Sequence, residues 1–219
     1  MKNNVLVIVP HADDEVLGFG GTIAKLVERD YNVTVTILQA PNDERARKQI
    51  DSAYIAKEIL GYHKLILLPI SNKDFANSTF QTLKTVEQNI SEVNPDIIYT
   101  TSLADNHQDH KMLYRAVSIA SRPVGGHKIK TIFAGEVISS YDQSFAIERN
   151  FFTANVYEEI TEGHLNKKLE AIRAYQTEIR DYPHPRSIES ISAKAISRGS
   201  ECQSRYAEAF MLLRKINNV

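Results

Sequence analysis

The stretch Asn4–Leu17, NVLVIVPHADDEVL, decides the fold. Val5–Val9 is an unbroken aliphatic, largely β-branched run. That is the pattern of a strand buried on both faces of a parallel sheet, not of a half-exposed, alternating one. Pro10 ends the run, and from Glu15 to about Asp30 the apolar residues Leu17, Ile23, Ala24 and Val27 recur with helical spacing. A buried strand that turns at once into a helix opens a βαβ series.

The same alternation continues outward. Val33–Leu38 reads as a second strand, and Asp43–Leu60 as a helix stopped by Gly61. Leu65–Leu68 is a third strand closed by Pro69, and residues 79–93 form a helix that the Asn94-Pro95 pair ends. Asp96–Thr100 is a fourth strand, Ser102–Asp109 a polar loop, His110–Ala120 a helix and Thr131–Val137 a fifth strand. The expected fold is α/β: a Rossmann-like three-layer sandwich with a mostly parallel sheet and a less regular C-terminal extension. In such sheets ligands bind beyond the carboxyl ends of the strands, near the switch point. The extension carries helical runs at 162–180 and 187–200, a break at Tyr182-Pro183-His184-Pro185, and an apolar segment from Tyr206 to Leu213. The length, 219 residues, suits one domain over 1–219, with about 161–219 shaping the substrate site.

Composition excludes several classes. Twenty-six basic against 27 acidic side chains leave −1, so no basic face announces nucleic-acid binding. Cys202 is the single cysteine, which rules out an intrachain disulfide and suits a reducing compartment. The first apolar run is shorter than the about 7–15 residues of a signal peptide or the about 20 of a membrane span, so the default is a cytoplasmic chain with no membrane span. Residues 161–219 hold 10 basic and 7 acidic side chains, a weak pointer to an anionic partner through Arg186, Arg198 or Arg205, against a solvated helix face.

Two clusters fall where this fold places a site: Pro10-His11-Ala12-Asp13-Asp14-Glu15 after the first strand, and His107-Gln108-Asp109-His110 after the fourth. Crowded carboxylates repel one another, and burial raises their pKa unless a cation holds them. His11 and Asp14, three residues apart across a turn, can address one centre, and His110 completes a His₂Asp set of the catalytic zinc type. Asp13 is then free to act as a base and His107 to stabilise an oxyanion. Taken separately, the acids also suit a helix N-terminus, and the second cluster a polar loop. A dinucleotide site is the competing reading. Gly18-Phe19-Gly20-Gly21, however, lies inside the helix rather than in the turn, and the turn holds three acids that repel phosphate. Those glycines suit close packing of the helix. No G-x-S-x-G elbow occurs, and Cys202 has no activating context.

PHADDE and HQDH resemble the paired motifs [AP]-H-P-D-D-E and H-P-D-H of the LmbE-like, or PIG-L, family of zinc-dependent de-N-acetylases. The Leu60-Gly61 pair, Thr153-Ala154-Asn155-Val156 before a helix and the ending RGSECQSRYAEAF are similar to softer family features. The resemblance implies His11, Asp14 and His110 as zinc ligands and Asp13 as general base. It implies His107 as the electrophilic partner, oriented by Asp109, and Glu15 as a supporting residue behind the ligands. Ala12 and Gln108 replace the motif prolines, which bears on loop rigidity more than on ligation. Asp105 stands where a thiol-pathway branch carries tyrosine.

The implied activity is removal of an N-acetyl group from a GlcNAc-type amino-sugar conjugate, with release of acetate. Zn²⁺ is the expected metal; Fe²⁺, Co²⁺ and Mn²⁺ suit the same donors. Arg45 and Arg47 after the second strand, and Asp74 after the third, are candidate substrate contacts. His63, His127, His164 and His184 read as structural or surface residues, and homo-oligomerisation is left open. The rival readings are a non-hydrolytic nucleotide-binding module and a metal hydrolase of another amide.

Overall fold

A computed structural model describes residues 3–70, 79–124, 128–149 and 151–217. Strands β1 (Asn4–Val9), β2 (Asn32–Gln39), β3 (Lys64–Ile70), β4 (Ile97–Thr101), β5 (Thr131–Gly135), β6 (Val156–Glu159) and β7 (Ala207–Lys215) form one sheet of order β3-β2-β1-β4-β5-β7-β6. The first five run parallel, and β7 is antiparallel to both of its neighbours. Among the described residues the helices are α1 (Asp14–Glu28), α2 (Glu44–Leu60), α3 (Thr79–Val93), α4 (Gln108–Ala120), the single turn α5 (Ala146–Arg149), α6 (Glu162–Ala174) and α7 (Ile188–Glu201).

Because successive side chains of a strand point to opposite faces, β1 feeds two cores. Val5, Val7 and Val9 pack with Leu17 and Ile23 of α1, Ala53 and Ala56 of α2, Leu169 and Ile172 of α6, and Ile191 of α7. Leu6 and Ile8 pack with Val86 and Ile90 of α3 and with Leu113 and Val117 of α4. The result is the expected helix–sheet–helix sandwich. Asp43 caps α2 by accepting from Ala46 N at 2.7 Å, and Gly61 ends it in the left-handed conformation, φ 77°.

The glycines of α1 serve packing. A Cβ on Gly21 would lie 2.7 Å from Ile160, and its amide donates at 2.9 Å to Glu208 on β7. Glu208 also accepts from Thr22 N and from Lys168 Nζ at 2.6 Å, so one buried carboxylate ties α1, α6 and β7 together.

The structure differs from the sequence reading in the edges and the C-terminal third. Pro69 lies inside β3, not after it, because β3 is an edge strand, where a missing N–H costs no ladder bond. Thr153–Val156 leads into strand β6 before any helix begins. The helix expected to run to residue 180 stops at Ala174, and Tyr175 turns its buried hydroxyl onto Glu15. The apolar segment from Tyr206, to which the sequence assigns no element, is β7, which pairs antiparallel with β5 and β6. Among the described residues no helix is long and apolar enough to cross a membrane.

Candidate metal centre and active site

The strand order reverses between β1 and β4, which pair directly, Val5 opposite Ile97 and Ile8 opposite Thr100. Helix α1 leaves β1 toward one face and α4 leaves β4 toward the other, which opens a crevice at the carboxyl ends. His11–Asp14 and His107–His110, distant in sequence, face one another across it. The N-termini of α1 and α4 add positive potential where Asp14 and Asp109 sit.

Asp14 Oδ2 is the hub. It lies 3.1 Å from His11 Nδ1, 3.2 Å from His110 Nε2 and 3.0 Å from the His11 amide. The second nitrogen of each ring rests on its own carboxylate. His11 Nε2 is 2.9 Å from Asp109 Oδ2, and His110 Nδ1 is 2.8 Å from Asp105 Oδ2. Asp105 is held in turn by Ser140 Oγ and the His107 amide, both at 2.8 Å. A histidine with one nitrogen facing a centre and the other on a carboxylate is the arrangement metal sites use to fix tautomer and ring orientation.

The donor set fits a small divalent cation on two counts. Ligands about 2.0–2.1 Å from a tetrahedral ion lie about 3.3 Å from one another, close to the His–Asp separations here. The charges agree as well. Burial alone disfavours charged imidazoles, yet Asp109 and Asp14 raise His11 to about 9, and Asp14 and Asp105 raise His110 to about 10. The pocket therefore favours positive charge around Asp14, whose own pKa is held far down against its burial. His107 also brings a nitrogen within 4.8 Å of those of His11 and His110.

Asp13 precedes α1 but makes no side-chain cap. Its φ of 136° is strained for a residue with a Cβ, and its amide donates to Glu15 Oε2 at 3.0 Å. The buried carboxylate accepts from Arg186 Nη1 at 3.0 Å. Burial, and then Asp14, push its pKa well above the ordinary value, with Arg186 opposing. Glu15 is completely buried, held by the Tyr175 hydroxyl, and its burial raises it to about 7.

His107 caps α4, its Nδ1 accepting from the Asp109 amide at 3.2 Å. Burial and the neighbouring His11 and His110 lower its pKa, which favours the neutral ring, and because Nδ1 accepts from the Asp109 amide the proton of that form sits on Nε2. The Asp109 carboxylate lies 3.9 Å from His107 Nδ1 but 2.9 Å from His11, so it aligns His11 while its backbone N–H aligns His107.

His11, Asp13, Asp14, His107 and His110 line a cleft of about 180 Å³ together with Gln39, Arg45, Gln49, Ser140, Glu178 and Arg186. Buried Glu178 clamps Arg45 (Nε 2.8 Å, Nη2 2.7 Å) and receives Arg186 Nη1 at 2.7 Å. Arg47 is exposed on α2 and is not among the cleft residues. Asp74 and His127 lie outside the described residues. Of the three C-terminal arginines only Arg186 reaches the cleft. Arg198 pairs with Glu136 at 2.6 Å, and exposed Arg205 lies 3.3 Å from Glu162. His63 is exposed, His164 completes a capping box with Thr161, and His184 accepts from the Arg186 amide at 3.0 Å. Glu178, Gln39, Gln49 and Ser140 carry no local signal in the sequence. Asp105 stands out there only by its closeness to the second motif.

The model of the family described as PIG-L, GlcNAc-PI de-N-acetylase, matches residues 6–121. An uncharacterised deacetylase, YaiS, of Escherichia coli K12 is 25% identical over 183 residues, covering 80% of this chain and 92% of its own. A probable N-acetyl-α-D-glucosaminyl L-malate deacetylase 2 of Bacillus anthracis is 26% identical over 195 residues, covering 81% and 83%. The crystal structure of the conserved protein TT1542 from Thermus thermophilus superposes with a TM-score of 0.78 at 21% identity, covering 99% of this chain and 97% of that one.

Proposed function

Since the chain belongs to the PIG-L, GlcNAc-PI de-N-acetylase family, we propose that it hydrolyses the acetamide of an N-acetylated amino-sugar conjugate, with a divalent metal held by His11, Asp14 and His110. The observation that carries this reading is the placing of Asp14 Oδ2 at 3.1 and 3.2 Å from two imidazole nitrogens whose far sides are backed by carboxylates. Zn²⁺ suits the two imidazoles and one carboxylate, and Fe²⁺, Co²⁺ or Mn²⁺ takes the same donors. When bound, such an ion lowers the pKa of water towards about 7 and polarises a carbonyl oxygen.

Asp13 is the general base. Its raised pKa makes it a better proton acceptor than an ordinary carboxylate, and Arg186 holds one of its oxygens in place. It takes a proton as water attacks the acetamide carbon. His107, neutral, donates its Nε2–H to the carbonyl oxygen as negative charge builds there, and the Asp109 amide holds the ring for that task. The proton on Asp13 passes to the amine nitrogen as the C–N bond breaks, leaving acetate and a free amino sugar. Arg45 stands at the cleft rim as a substrate contact.

The test is acetate release from a panel of UDP-, lipid- and thiol-linked N-acetylglucosamine derivatives, run beside metal analysis of the purified protein. We expect one metal per chain, lost in His11→Ala and in Asp14→Ala together with turnover. Asp13→Asn should keep the metal and lose about 10²–10⁴ in kcat. Metal-free protein that binds a nucleotide and hydrolyses none of the panel would overturn the reading.

A further inference from the structure

Ala12 sits where the family motif carries proline, and this exchange supplies a backbone donor. The Ala12 N–H donates to Gln39 Oε1 at 2.8 Å, and Gln39 Nε2 donates to Gln49 Oε1 at 2.7 Å. Register explains the contact. Strands β1 and β2 pair in parallel up to Val9 opposite Ile37, so the end of β2 runs beside the turn that follows β1. Both glutamines are buried and both line the cleft.

An amide side chain can usually sit either way round, because its oxygen and nitrogen are nearly the same size. Here it cannot. A backbone N–H only donates, so Gln39 must turn its oxygen to Ala12 and its NH₂ to Gln49. Gln49 must then accept with its oxygen, which leaves its own NH₂ over. Among the described residues no hydrogen bond engages Gln49 Nε2. The Arg45 guanidinium beside it is engaged by Glu178.

We propose that Gln49 is a specificity-determining residue, donating Nε2–H to an acceptor oxygen of the bound sugar, and that the Ala12 N–H sets this polarity through Gln39. A proline at position 12 removes the donor that orients the relay, so each amide is free to flip and the cleft meets acceptor and donor alike. The substrate contact rests on the deacetylase reading; the polarity of the relay does not.

Two experiments separate them. On the best substrate of the panel, Gln49→Met should raise KM roughly 3- to 10-fold with kcat within about twofold, the worth of one neutral hydrogen bond. Ala12→Pro, which the family pattern itself tolerates, should shift KM in the same direction. The double variant should be no worse than Gln49→Met, because the first change acts through the second. Gln49→Glu, which keeps the acceptor for Gln39 but presents an oxygen to the sugar, should exceed Gln49→Met. An unchanged KM in Gln49→Met, or additive effects in the double variant, overturns the substrate contact while turnover still supports the deacetylase reading. If no sugar is hydrolysed, that reading fails, and the relay is read by NMR of the ¹⁵N-labelled protein. The Gln39 side-chain NH₂ should exchange slowly in the wild type and freely in Ala12→Pro; free exchange in the wild type overturns the relay.

Discussion

Glu178→Gln keeps the shape of a buried side chain and removes the charge that binds two arginines into the cleft wall. The wild-type carboxylate is almost wholly buried and accepts from Arg45 at 2.7 and 2.8 Å, from Arg186 at 2.7 Å and from Thr177 at 3.0 Å. Breaking a buried ion pair from one side costs about 3–5 kcal/mol, because the partner charges stay behind. Arg45 is 61% exposed and regains water, whereas Arg186 is 21% exposed and regains little, which places the expected cost near the lower end, about 3 kcal/mol. For a chain of this size that is a fall in Tm of about 6–12 °C. The pH dependence follows from the carboxyl's state. Burial pushes its pKa up, but the Arg45 and Thr177 hydrogen bonds and the two guanidinium charges more than offset this and hold it below the ordinary value. The stabilisation is therefore complete above the unfolded pKa of about 4.5 and is lost as pH falls through the lower folded value. Thermal unfolding of wild type and Glu178→Gln, followed by circular dichroism from pH 7 downwards, should show a gap at neutrality that narrows in acid. A gap below about 0.5 kcal/mol at pH 7, or one that widens in acid, would refute the reasoning.

Three further outcomes are expected. Asp105→Asn, which weakens the backing of His110, should lower metal affinity about 10–100-fold in chelator competition. His107→Gln should lower kcat about 10²–10³-fold with the metal retained, read by steady-state kinetics beside metal analysis. Lys168→Met leaves Glu208 buried without its cation at the α1–β7 junction, away from the cleft. It should cost about 3–5 kcal/mol in denaturant unfolding while metal stoichiometry stays unchanged.

The local parts of the fold and of the candidate site were legible in the chain. The Val5–Val9 run, the helical spacing after it and the Gly61 stop are short-range signals, because burial on two faces, helix period and left-handed backbone each act within a few residues. The His11–Asp14 and His107–His110 clusters were legible for the same reason, each lying within one turn at a strand end. That they belong to one site depends on β1 and β4 being neighbours, which the α/β alternation implies and the sheet order realises.

What only the tertiary structure decided lies in groups that the chain brings together from far apart. Glu178 and Arg186 come from the C-terminal third to meet Arg45 and Asp13, and Gln39 reaches Ala12 through strand register. The Asp109 carboxylate turns to His11 rather than to His107, because the α4 N-terminus places it across the crevice from the first motif. Pro69 inside β3 and the antiparallel β7 were equally hidden, since edge position and strand direction are properties of the assembled sheet. Residue type and spacing state which atoms can ligate, donate or accept; only packing decides which of them finds which partner.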